Sequence, residues 1–366
     1  MRKTTIDATT IEYPDEIGFC FNPVVINLYG YAWSYIKVSI TDVDSETLYT
    51  EKRQLFNTSC FFDLSPYAQG MFDLLNFSKV DYTLNGSQDS KTGRLFSVEV
   101  DMYKADDRLG NSFQFNTFII WGAMKVGEQY NGIRTLTWFK KFPFSVGMYC
   151  AAASNIKVYV DSVLQENTIA TTARKVWNLM LKGLSAESEL IFELPASGES
   201  ASVWDNTFDF TFKGLLNTAS HVRLNVDETE SGVYLRWINR HGFYCYWLFQ
   251  SGDESRQVSN DGEFIRNNMV DYSYVNGYHG GSGRKQRKTE NNTLPVCAPL
   301  VDSDTYDFLF QLALSPVVDM YAGDDSEGVP QWKGVNVSVA TFMKTKATLQ
   351  DFIATIILPE TSVQSL

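Results

Sequence analysis

The chain is short of the residues that carry most enzyme chemistry. It has three histidines, His221, His241 and His279, and no cysteine pair at CxxC spacing. Zinc ribbons, zinc hydrolases and redox dithiols need such pairs or an HExxH run, so none of these is expected. The five cysteines, Cys20, Cys60, Cys150, Cys245 and Cys297, are scattered, odd in number and mostly set in apolar segments, and read as free buried thiols. No stretch approaches 18 consecutive apolar residues, and MRKTTIDATTIEYPDE lacks the apolar run of a secretory signal. A soluble chain made in the cytoplasm, without membrane insertion, is the expectation. On that route the sequons at Asn57, Asn76, Asn85, Asn291 and Asn336 mean little. Positive charge is also in deficit, with 31 Lys and Arg against 43 Asp and Glu and a formal net charge of −12. Such a surface repels phosphate and anionic lipid, so nucleic acid is not expected as a main partner.

What the sequence does have is β-forming aromatic residue, 25 Phe and 19 Tyr in 366 residues. That length implies two or three domains. Ile36, Val38 and Ile40 alternate with polar residues, as do Phe96, Val98, Val100 and Met102, and this period of two marks strands with one wet face. Further strands are expected at Glu46–Gln54, Ser59–Asp63, Asn116–Ala123 and Phe208–Phe212. Ser65-Pro66 predicts the N-cap and first turn of a short helix reaching Leu75. PASGESAS at 195–202 reads as a linker. In SDTYDFLFQLALS, Asp302 to Asp304 cap a helix whose stripe is Tyr306, Leu309, Phe310 and Ala313. Val335, Val337 and Val339 alternate as in a strand. The expected class is mainly β and multi-domain: antiparallel sandwich-like modules at 1–125 and 126–200, then a C-terminal α+β domain at 201–366 that carries a short helix.

The densest chemistry is VYLRWINRHGFYCYWLF, Val233 to Phe249, two aromatic runs around a turn-forming Asn239–Gly242. Tyr244, Tyr246 and Trp247 would suit stacking on sugar rings, and Arg236 or Arg240 hydrogen bonding to hydroxyls, yet aromatic strands more often fill a core or a subunit contact. GYHGGSGRKQRK fails as a phosphate cradle, because Lys285 is followed by Gln286 where Ser or Thr is required. It reads as a mobile, solvated excursion whose Arg284, Lys285, Arg287 and Lys288 would touch an acidic partner or another copy of this chain. DMYAGDDSEG lacks calcium-loop spacing and reads as an acidic hairpin tip. No catalytic residue, metal ligand or cofactor is expected, and the chain is not expected to be an enzyme.

Four stretches together resemble structural proteins from the tail gene clusters of tailed phages and prophages of gut Bacteroidetes. They are GFCFNPVVINLYGYAWSYIKVSI with CFFDLSPYAQGMFD; WGAMKVGEQYNGIRTLTWFKKFPFSVGMY; YLRWINRHGFYCYWLF; and YDFLFQLALSPVVDMY with WKGVNVSVATFMKTKATLQDFIATIILP. The resemblance implies β-rich modules that assemble in the tail or baseplate region of a virion, with other copies and other virion proteins as partners. It assigns a function to no residue. The rival expectation is a carbohydrate-binding module or adhesin for host-surface glycan.

Overall fold

Alternating apolar residues give sheet almost throughout. The computed structural model describes residues 1–30, 33–77, 79–123, 133–150, 153–165, 169–171, 174–180, 183–193, 202–204, 221–264, 272–275, 277–278, 284–338 and 340–359. The expected strand at Phe208–Phe212 and most of the expected linker lie outside them. The chain is mainly β, in several largely antiparallel sheets, and forms two compact units: Met1–Glu230 with Trp237–Trp247 and Asp325–Pro330, and Ser231–Arg236 with Leu248–Asp324 and Gln331–Leu366. No helix among the described residues is long and apolar enough to cross a membrane.

The first unit opens with a four-stranded antiparallel sheet in the order Arg2–Ile6, Thr9–Tyr13, Val25–Tyr29, Ser59–Asp63. Its inner face is Ile11, Ile26, Leu28 and Phe62, all under 2% exposed. A five-stranded sheet runs Ile17–Phe19, Leu109–Ile120, Gly93–Tyr103, Tyr35–Asp42, Leu48–Gln54. Its buried positions, Ile36, Val38, Ile40, Phe96, Val98, Val100 and Met102, are the ones the period of two selects. The strand expected from Asn116 begins at Leu109 and stops at Ile120, and the one expected from Glu46 begins at Leu48. Two further sheets are built on Ser154–Val160 with Glu189–Glu193 and His221–Asp227, and on Ser145–Cys150 with Lys175–Met180.

Helix α1, Ser65–Met71, corrects the expected cap. Leu64 is the N-cap and offers no side-chain bond. The Ser65 hydroxyl is occupied elsewhere, 2.6 Å from the Asn22 carbonyl it donates to, and it accepts from the Val24 amide at 3.1 Å. The helix stops because Phe72 turns extended, and a separate turn, α2, covers Leu74–Phe77.

Another sheet has the path order Pro330–Gly334, Val318–Asp324, Val233–Ile238, Tyr244–Ser251, Arg284–Val301, Gln350–Ile357, Asn336–Val337. Helix α3, Ser303–Leu314, is capped by the Asp302 carboxylate, which accepts from the Thr305 amide at 2.7 Å. It buries Tyr306, Leu309, Gln311 and Leu312, while Phe310 and Ala313 are half-buried. The Tyr306 and Phe342 rings sit 5.4 and 5.6 Å from Phe352, edge-on and stacked respectively.

Candidate functional site

The hairpin at 233–251 is the place where the sequence concentrates rings and cations. Its turn is an Asx turn: Asn239 Oδ1 accepts from the amides of His241 (2.9 Å) and Phe243 (3.0 Å). Gly242 takes φ +78, and a Cβ there would lie 2.4 Å from Ile120 Cγ2 and 2.9 Å from the Trp121 carbonyl. The Thr92 hydroxyl donates to the Gly242 carbonyl at 2.7 Å, and a Cβ on Gly122 would strike the Arg240 carbonyl at 2.2 Å. The turn is thus wedged into the first unit rather than presented to solvent. His241 is fully buried, edge-on to Phe19 at 6.1 Å.

The strands leave little to present. Every residue from Val233 to Ile238 is buried, as expected for a strand covered on both sides. Tyr246, 2% exposed, shares hydrogen bonds with Tyr82 (2.9 Å) and Ser145 (2.7 Å) and lies 4.8 Å from Phe144. Tyr244 is 3% exposed. Trp247 is half-buried, edge-on to Phe139 at 5.5 Å. In the second unit the Arg236 guanidinium is 1% exposed, donates to Asp319 at 2.8 Å and lies 4.2 Å from the Trp332 ring centre. Beside it, burial and then the bond to Asp324 push Tyr321 up to about 12. Burial therefore removes Arg236, Tyr244 and Tyr246 from any ligand-facing surface of this chain. Arg240 and Trp247 keep partial exposure.

The basic run is not the expected excursion. Arg284 begins an 18-residue strand, Arg284–Val301, and its first half pairs antiparallel with Ser255–Phe264. The register sets Asp261 across from Arg287 and Glu263 across from Lys285, opposite charges on opposed positions, while Arg284 faces Phe264 and Lys288 faces Asn260. Opposed unlike charges favour this pairing over a solvated loop. Ser255 to Asn260 are exposed at every position, hence on both faces, and Val258 is 61% exposed. In chain order, the segment between the two strands holds a small hairpin, Tyr272–Ser273 with Gly277–Tyr278, and Tyr274 there is 94% exposed. His279 lies outside the described residues.

A second feature escaped the sequence. On the outer face of the first sheet, Phe56, Ser59 and Tyr29 form one cross-strand row, and Phe61 with Asn27 the next. Phe56 is 79%, Phe61 71% and Tyr29 36% exposed. Lys3 donates to the Tyr29 hydroxyl at 2.8 Å, which donates to Glu12 at 2.8 Å. The Tyr29 bond raises Lys3 and lowers Glu12. No sequence signal singles this face out, since Tyr29 ends the apolar strand VINLY and Phe61 adjoins the buried Phe62, so neither ring looks different from its core neighbours. The acidic run forms a hairpin tip, with Asp325 accepting from the amides of Glu327 and Val329, both at 2.9 Å. No group of three His, Cys, Asp or Glu placed to hold a metal occurs among the described residues.

No family model matches the chain, and no curated protein matches it in sequence. Among solved structures, one similar chain is described as giving structural insight into host cell surface retention of a 1.5-MDa bacterial ice-binding adhesin. It is 10% identical over 89% of this chain and 95% of that one, with a TM-score of 0.19. A score that low reflects no shared arrangement, and nothing about this chain follows from it.

Proposed function

We propose that this chain is a non-enzymatic structural component of a tailed-phage particle. It would be made in the host cytoplasm and built into the tail or baseplate region, where copies associate with one another and dock other virion proteins. The observation that supports this best is the fate of the Val233–Phe249 hairpin. Tyr244, Tyr246 and Arg236 are committed to the interior, with Tyr246 bonded to Tyr82 and Ser145 and Arg236 neutralised by Asp319. Side chains used in this way hold β-layers together instead of meeting a substrate. The resemblance of the four quoted stretches supplies the tail assignment. Quantitative mass spectrometry of purified particles tests it. The expected result is this chain in fixed, multiple stoichiometry with other tail proteins, and its absence from intact particles would sink the reading.

The second reading, an adhesin for host-surface glycan, now rests on the outer-face rings rather than on Tyr244 or Trp247. Flat rings at Tyr29, Phe56 and Phe61 beside Asn27, Lys3 and Glu12 offer the stacking and hydrogen-bonding groups a sugar needs. Glycan-array binding abolished by Phe61→Ala would favour it, and an array without signal would remove it.

A further inference from the structure

The two-stranded ribbon of Ser255–Phe264 and Arg284–Thr293 is exposed at every position from Ser255 to Asn260, and at Lys288 and Asn291 on the facing strand. Nine register pairs join it, a length of about 30 Å at ~3.4 Å per residue. Among the described residues, Ser255–Phe264 pairs with no strand but Arg284–Val301. Two-stranded hairpins in water are marginal unless something packs on them, and exposed edges are sites of strand and chain association.

The charge of the ribbon says what that something is. It carries five basic residues, Arg256, Arg284, Lys285, Arg287 and Lys288, against three acidic, Asp261, Glu263 and Glu290. The rest of the chain keeps 26 of the 31 basic and 40 of the 43 acidic residues. The ribbon is thus a cationic arm on a strongly anionic body. Duplex nucleic acid fits poorly, since that body repels phosphate and two of the four clustered cations already face carboxylate-bearing positions. A second copy of this chain is the acidic surface always present at assembly concentration.

We infer that this ribbon is the self-association arm of the protein, docking electrostatically on the acidic surface of a neighbouring copy. The inference deepens the assembly reading above and rests on it. Complementary charge of this kind speeds and orients encounter more than it tightens the final complex, and salt weakens it.

Sedimentation velocity of the purified full-length chain between about 50 mM and 1 M NaCl, where the Debye length shrinks to about 3 Å, tests it. The wild type is expected to self-associate at low salt and dissociate at high salt. Arg284→Glu with Lys288→Glu is expected to weaken association at least tenfold. Neither residue faces an acid across the ribbon, and the milder Arg284→Gln with Lys288→Gln guards against misfolding, which circular dichroism checks. A wild type monomeric at every salt concentration overturns the inference, as does a double variant that associates normally. Binding to duplex DNA or phosphatidylserine vesicles that the variant loses, without self-association, assigns the arm to that ligand instead and overturns it too. Failure here with the chain present in particles leaves the structural reading standing, whereas salt-dependent association of a chain absent from particles refutes that reading alone.

Discussion

Arg94 is hydrogen-bonded to Asp42, whose carboxylate is wholly buried and which also accepts from Ser45 at 2.7 Å and the Asp44 amide at 3.0 Å. Burial alone would push Asp42 up, but the bonds from Ser45 and Arg94 more than reverse it and hold the group below the usual carboxylate range. Arg94→Met should therefore cost about 3 kcal/mol, because it strands a buried charge. Urea unfolding measures this, and a loss under about 1 kcal/mol would mean that Ser45 and Asp44 suffice. Gly242→Ala should cost at least about 2 kcal/mol, since the new methyl meets Ile120 and the Trp121 backbone at a positive φ. At this scale the sequence was half legible. The glycine announces its own turn, but Arg236 and Arg240 look alike in the sequence, and the partners that hold Arg236 buried, Asp319 and Trp332, lie 83 and 96 residues away.

Elements were legible where pattern and caps agree. The Gly93–Tyr103 strand and α3 both follow from local periodicity, and Asp302 caps α3 as its position requires. The Thr305 amide, the leading cause, lowers the Asp302 pKa. Asp302→Ala should cost about 1 kcal/mol in thermal or urea unfolding, and an unchanged midpoint would show that the first turn is held by packing alone. Two elements defeat local reading. Val335 is buried and Val337 half-buried, Val339 lies outside the described residues, and the strand described there is Asn336–Val337, paired with Gln350–Ile357 at two positions. The basic ribbon has no apolar alternation at all, and its order comes from a partner strand some 30 residues earlier. Pairing of that kind is non-local and leaves no period in either strand.

For the molecule as a whole, several carboxylates are held below their ordinary range. In Asp161 the backbone amides of Glu187, Ser188 and Glu189 do this, and in Asp89 hydrogen bonds from Lys91 and Lys175 outweigh the burial that would raise it. With Asp42 and Asp302, these groups contribute stability that is complete above about pH 4, the unfolded carboxylate value. That contribution is lost as pH falls through the lower folded values. Near-ultraviolet circular dichroism should accordingly show acid unfolding beginning below about pH 4 and none between pH 5 and 7. A signal flat to pH 2 would show that these bonds are dispensable. The same scale gives the Arg284–Val301 strand a mechanical consequence. One unbroken backbone runs from the arm into the sheet, where Thr293–Val301 lies along Gln350–Ile357. A pull exerted on the arm along its axis would strain those rungs together, in shear, instead of peeling them one at a time. An anchor so arranged resists tearing far better than its modest number of rungs suggests.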